Sequence, residues 1–298
     1  MAVNEYATLF SNVLRELYGQ SLVSVDLYNS NTDLQIVNGK QIKVPTLSVS
    51  GYKDHTRGSL GMNTGSYEQS YELKTLDHDR DIEFAIDPMD VDESNMVVSI
   101  ANIQKRFETT QAIPEADAYT FSKIYSEYVR CNGTVKTDEL TSANVLADFD
   151  DNLSKMEDEG VPLDRVILYC TTEYKRLLKT ADGIQRTLNI GGGASSIDRR
   201  VKTVDDIGKI VTVPSARFKT LYDFSSGWKA GVGAKQIDYI LIDPEAQVSR
   251  DKYAFIKVYT PGTDSRTADN YLYQNRKYNG TFAIDELMKS GCIIHTAK

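Results

Sequence analysis

Residues 41–76 hold two strand-forming segments that cannot bury themselves. QIKVPTLSVSG (41–51) and SYEQSYELKTL (66–76) are rich in Val, Ile, Thr and Tyr and alternate in part with a period of two. Between them, GYKDHTRGSLGMNTG carries four glycines and little apolar content. The pattern predicts an extended hairpin with a long tip. Neither segment is apolar enough to be covered on both faces, and two isolated strands are marginal in water. Such a hairpin needs a surface to lie on, and a neighbouring subunit is the expected one.

The rest of the chain is built to fold. Its 298 residues allow a substantial core in one large domain or two joined ones, and 41% hydrophobic content with 18 Tyr is that of a packed protein. Residues 5–18 place Tyr6, Leu9, Phe10, Val13, Leu14 and Leu17 on one helical stripe. IEFAI (82–86) reads as a strand. Met96, Ile100, Ile103 and Phe107 then fall on one helical face, and Pro114 interrupts the pattern before Phe121, Ile124, Tyr125 and Tyr128 resume it. This predicts one long kinked helix, or two in tandem with proline in the first turn of the second. A helix at 142–159, the strand RVILYC, a helix at 172–180, the strand KIVTV and the strands IDYILI, YAFIKVY and DNYLYQNRKYNGTFAI complete an α+β pattern. SSGWKAGVGAK reads as a loop.

Several function classes drop out. The formal charge is −8, from 34 Lys+Arg against 42 Asp+Glu, with no dense basic tract to grip a phosphate backbone. Arg199-Arg200 and Lys175-Arg176 are short basic pairs in mixed surroundings. Cys131, Cys170 and Cys292 are odd in number and lack CxxC spacing, which suits a reducing compartment. No segment has the apolar length of a membrane span, and MAVNEYATLFSNVLREL is unlike a secretory leader. Asn132-Gly133-Thr134 and Asn279-Gly280-Thr281 therefore read as turns rather than glycosylation sites.

The acidic run AIDPMDVDESN (85–95) is the most suggestive site candidate. As a calcium loop from Asp87 it fails, because the ligand, glycine and closing glutamate positions hold Asp87, Met89, Val91, Asp92 and Val98. It sits between a strand and a helix start, so helix capping is expected, with Asp90 and Glu93 as a capping box and Asp92 or Ser94 as the alternative cap. A carboxylate-dependent hydrolase built on Asp87, Asp90 and Asp92 is the competing reading. His55, His78 and His295 show no zinc spacing, although Asp77 and Asp79 flank His78 and would raise its proton affinity. NIGGGASSID and GWKAGVGAK lack the spacing of phosphate loops and read as flexible loops. Tyr271, Tyr273 and Tyr278 read as cross-strand packing rather than a base-stacking platform. No cofactor, metal or catalytic set is expected.

In the order and wording of its segments the chain resembles the major capsid proteins of tailed bacteriophages with the Hong Kong 97-type fold. KQIKVPTLSVSGYKDHTR resembles the outgoing strand of that family's extended loop, and YELKTLDHDRDIEFAIDPMDVDESN the return strand entering the spine helix. IPEADAYTFSKI resembles the later helical region, and DNYLYQNRKYNGTFAID the closing strands. The resemblance implies an N-terminal arm at 1–40, an extended loop at 41–80, a peripheral domain at 81–135 with 245–298, and an axial domain at 136–244. It implies a non-enzymatic shell protein that assembles as hexamers and pentamers around double-stranded DNA, made in the bacterial cytoplasm, with portal, scaffolding and decoration proteins as partners and DNA touched without sequence preference. No charge-rich helical extension precedes the arm, so a scaffold would be a separate or cleaved protein. Tyr52, Lys53, Arg57, Tyr67 and Tyr71 would then contact other subunits. Some members crosslink Lys to Asn; Lys53 lies near the tip, with no local signature for a partner. An encapsulin-like compartment shell is the alternative within the fold.

Overall fold

The computed structural model describes residues 22–28, 35–38, 41–55, 62–93, 100–181, 207–262 and 269–298. The helix expected at 5–18, the glycine run at 191–193, Met96 and Arg57 lie outside them.

A short helix α1 (Val25–Tyr28) precedes β1 (Gln35–Asn38), β2 (Gln41–Val49), β3 (Tyr67–Thr75) and β4 (His78–Ile86). Next come α2 (Pro88–Glu93), α3 (Ile100–Phe107), a π-helical turn at Glu108–Ala112 and α4 (Ile113–Arg130). The third segment holds α5 (Val145–Asp158), β5 (Ile167–Thr171), α6 (Thr172–Thr180), β6 (Lys209–Val213), β7 (Tyr222–Asp223), β8 (Lys229–Ala230) and β9 (Ile237–Ile242). The chain closes with β10 (Gln247–Tyr259), β11 (Tyr271–Ala283), α7 (Asp285–Gly291) and β12 (Cys292–Thr296).

The centre is a four-stranded sheet in the order β12-β9-β5-β6, antiparallel except for β5 against β6. Its middle strands are apolar at nearly every position because both faces are covered. Ile240 and Ile242 of β9, with Ile167 and Tyr169 of β5, face Phe121, Ile124 and Tyr128 of α4. The alternate residues Tyr239, Leu241, Leu168 and Cys170 face Phe149 and Met156 of α5 and Tyr174 and Leu178 of α6. Thr171 starts α6 by accepting the Tyr174 N–H at 3.2 Å, as an N-cap should.

A second sheet, β10-β11-β4, is antiparallel throughout and carries the long strands. Asn279 and Gly280 sit inside β11 rather than in the expected turn. A Cβ on Gly280 would fall within 2.2 Å of Leu76 Cδ2, so here glycine serves close approach. Asn132, by contrast, does sit in a turn, with φ of 61°, where α4 ends and the Gly133 N–H returns to Tyr128 O. The loop expected at SSGWKAGVGAK holds β8, which pairs with β7 just ahead of it.

The spine runs unbroken from Ile100 to Arg130, and its irregularity lies before the proline. Pro114 has no N–H and its ring crowds the carbonyl four residues back. The preceding turn widens: the Ile113 N–H reaches Glu108 O, a span of five residues. Thr110 Oγ1 meanwhile bonds Arg106 O at 2.7 Å. Gln104, half-buried Ile103 and half-buried Phe107 lie on α3, and Ile100 begins it.

The capping expectation needs correction. Asp90 lies within the first turn of α2 rather than at its start. Asp87 is the cap: its Oδ1 accepts the Met89 N–H at 2.9 Å, with Pro88 at the first helical position. Asp92 and Glu93 belong to the same helix, so neither is its cap. Two buried environments escaped the sequence reading. His78 is buried on β4, stacked on Tyr119 at 4.0 Å with Phe224 edge-on. Burial first, then the Arg80 charge, lower its pKa to about 4 against the pull of Asp77 and Asp79. Its 3.6 Å approach to Glu115 is thus a contact of a neutral ring. Asp117, fully buried on α4, accepts the N–H groups of Val23 and Ser24 and the Ser24 hydroxyl, which ties the segment before α1 to the spine.

Candidate assembly surface

β2 and β3 pair in unbroken register, from Gln41 opposite Thr75 to Val49 opposite Tyr67. Opposed residues share a face, so Lys43, Leu47 and Val49 lie beside Leu73, Tyr71, Gln69 and Tyr67 on one side. The other side holds Ile42, Val44 and Ser48 with Glu68, Ser70, Glu72 and Lys74. The ribbon is therefore amphipathic.

Its two ends differ sharply. At the base Ile42 is 1% exposed and packs with Val44 and Leu76 against Val248, Tyr278 and Phe282. The Tyr278 hydroxyl donates to Leu76 O at 2.9 Å. Lys74 binds Asp285 at 2.8 Å and Glu72 at 2.9 Å, and Arg130 engages Asp285 as well. The Arg130 hydrogen bond, and after it Lys74, hold the Asp285 carboxyl well below the usual range against the opposing effect of burial.

Beyond the base none of the described residues covers the apolar side. Val49 is 69% exposed, and Leu47, Tyr67, Tyr71 and Leu73 are likewise exposed. Lys43 sits 5.4 Å over the Tyr71 ring, and Gln69 Nε2 donates to the Tyr71 hydroxyl at 2.8 Å, so the only partners along this side are within the ribbon among the described residues. Tyr52 is fully exposed at the tip. The tip has local order: Asn63 Nδ2 donates to Lys53 O at 3.2 Å and Asp54 O at 2.9 Å, and Ser66 N–H donates to Ser50 Oγ at 2.9 Å. Of the residues expected to meet other subunits, Tyr52, Lys53, Tyr67 and Tyr71 all stand on this exposed ribbon.

Asp87 is spent on the cap, and the described residues contain no cluster of His, Cys, Asp and Glu able to hold a metal. All three cysteines are buried and unpaired, and burial raises the thiol pKa of Cys170 to about 12. Tyr273 and Tyr278 are buried in β11, where they pack rather than present faces to a ligand. No helix of the described residues is long and apolar enough to cross a membrane.

No protein-family model matches the chain, and no curated protein matches it. Solved structures do. The capsid structure of cyanophage P-SCSP1u superposes with a TM-score of 0.60 at 14% identity, covering 92% of this chain and 87% of that one. The mature capsid asymmetric unit of bacteriophage PhiM1 gives 0.61 at 13% identity, covering 87% and 82%. A structure from Mycobacterium phage Che8 gives 0.53 at 12% identity, covering 89% and 93%. Sequence likeness at this level carries the fold alone, and the coverage shows that it carries nearly all of it: the chain has the fold of phage capsid proteins.

Proposed function

We propose that this chain is the major capsid protein of a tailed bacteriophage, with the Hong Kong 97-type arrangement of arm, extended loop, peripheral domain and axial domain. It self-assembles into hexamers and pentamers of an icosahedral head that encloses double-stranded DNA. One observation carries the reading: a 9-residue by 9-residue ribbon is anchored at its base and bare along its apolar side. An exposed apolar surface of this kind marks an interaction site. In the proposed shell the side is covered by another copy, with Tyr52, Lys53, Arg57, Tyr67 and Tyr71 at the contact.

The domain limits follow the expected ones, 1–40, 41–80, 81–135 with 245–298, and 136–244, with one adjustment. β12 hydrogen-bonds to β9 at the edge of the central sheet, so residues 292–296 are counted with the axial unit. The chain's net negative charge suits a wall that touches DNA without sequence preference. Portal, scaffolding and decoration proteins are the partners of this reading, the virion is its location, and the bacterial cytoplasm its place of synthesis. Electron microscopy and sedimentation of the expressed chain test it. Shells or capsomers are expected; a chain that stays monomeric at high concentration overturns it. A shell purified with an enzyme inside and no role in a virion selects the encapsulin-like alternative.

A further inference from the structure

A half-open cavity of about 380 Å3 lies between the π-helical turn and the β4–β11 pair of one chain. Its walls include Ile82 and Phe84 of β4, Phe107, Ala112 and Ala116 of the spine, and Asn275 of β11. The space has a local cause. Ala112 and Ala116 are small residues one helical turn apart, and aromatic groups prop the helix away from the sheet on either side of them. At one end Phe84 meets Phe107 at 5.7 Å and Tyr273 at 6.1 Å; at the other His78 stacks on Tyr119.

The walls also define what fits. The buried charges at the cavity are matched within the protein, Arg80 to Glu115 at 2.6 Å and Lys277 to Glu108 at 3.0 Å, while Asp81 stands at the solvent-exposed rim, so an uncharged molecule is favoured at the apolar end. Asn275 supplies direction. It is 4% exposed, and its Nδ2 donates to Glu108 Oε1 at 2.7 Å and to the Tyr273 hydroxyl at 2.8 Å. Those two bonds fix the amide's orientation and leave Oδ1 as an acceptor that no described residue engages. A dry cavity of about 150 Å3 is enough for one benzene ring. We propose that this larger cavity binds an uncharged, planar arene of two fused rings bearing one hydrogen-bond donor, with the rings between the phenylalanines and the alanines and the donor on Asn275 Oδ1. The site lies within one protomer and does not depend on the shell reading.

The test titrates the full chain with 2-naphthol, followed by ligand fluorescence and by thermal shift, with naphthalene as the analogue that lacks the donor. Saturable binding of one 2-naphthol per chain is expected, with naphthalene about five- to tenfold weaker. Ala112→Phe fills the space from the helix side and should weaken 2-naphthol at least tenfold. Should that variant fail to fold by circular dichroism, Ile82→Trp fills it from the half-buried sheet side and serves the same purpose. Absence of saturable binding to the wild-type chain, or unchanged affinity in a folded filled variant, overturns the site. Naphthalene binding as tightly as 2-naphthol overturns the contact to Asn275.

Discussion

The central sheet and the β2–β3 ribbon are both regular antiparallel pairings for most of their length, yet they are stabilised by opposite means. β9 is covered on both faces by the chain's own helices, whereas the apolar side of the ribbon beyond Val44 is covered by none of the described residues. A strand pair gains little from its hydrogen bonds, since water replaces them in the unfolded chain, and its stability comes from side-chain burial. The sheet therefore owns its stability, and the ribbon leaves exposed an apolar side that the proposed shell would cover. Substitutions that separate folding from assembly should divide along this line.

The largest effect belongs to the sheet. Phe121 is fully buried, edge-on to Tyr169 at 5.2 Å and to Phe218 at 4.9 Å. Phe121→Ala should cost about 3–5 kcal/mol of unfolding free energy, read by chemical denaturation of the unassembled chain. A loss below 1 kcal/mol would mean that the spine and the central sheet do not share one core.

Next comes the strand that follows the ribbon. His78 binds its proton with a pKa of about 4 in the fold against 6.5 as a free side chain. The unfolded chain therefore binds more protons between those values, and stability should fall as pH drops through this window, by roughly 3 kcal/mol in all, and stay level on either side. The facing charges are Arg80, Glu115, Asp77 and Asp79. His78→Asn removes this component, so the difference between the two stability curves from pH 7 to pH 4 isolates it. Parallel curves would show that the imidazole is solvated in the fold.

How far the sequence foretold this contrast depends on the range of the forces involved. The ribbon and α6 were legible because strand alternation and the spacing Tyr174, Leu178 are local signals. The apolar run IDYILI made β9 legible as a strand, but not which helices cover its two faces. His78 was not legible: HDRDIEFAI is polar at its start, and its first residue is buried only because α4 and the loop after β7 close over it. The π-helical turn was hidden because a proline announces a helix start as readily as a widened turn. Asp90 was mistaken for the cap because several acids crowd AIDPMDVDESN and a local pattern does not say which carboxylate meets a free N–H. The pairing of β12 with β9 joins residues more than 50 positions apart, which no local pattern reports.

At the ribbon's base the expected effect is intermediate. In Gly280→Ala the new Cβ meets Leu76 at its side chain and backbone, and the loss should be about 1–3 kcal/mol. Leu76→Ala in the same chain should recover part of it, because the two residues compete for one space. Full additivity of the two losses would contradict the close approach.

The smallest effect on folding falls farthest out, and it is the sharpest test of the comparison. Val49→Ser changes a side chain that is 69% exposed and touches no core cluster, so the unassembled chain should keep its stability within about 0.5 kcal/mol. In a shell the same side chain would be covered, and burying one valine contributes roughly 1.5–3 kcal/mol. Because every protomer carries the change, the concentration at which shells form should rise markedly while the melting of the free chain does not move. Light scattering against protein concentration reads the first quantity and calorimetry the second. A drop in melting temperature with assembly unchanged would place the valine in the protomer's own core, and the distinction between a self-sufficient sheet and a borrowed cover for the ribbon would fail.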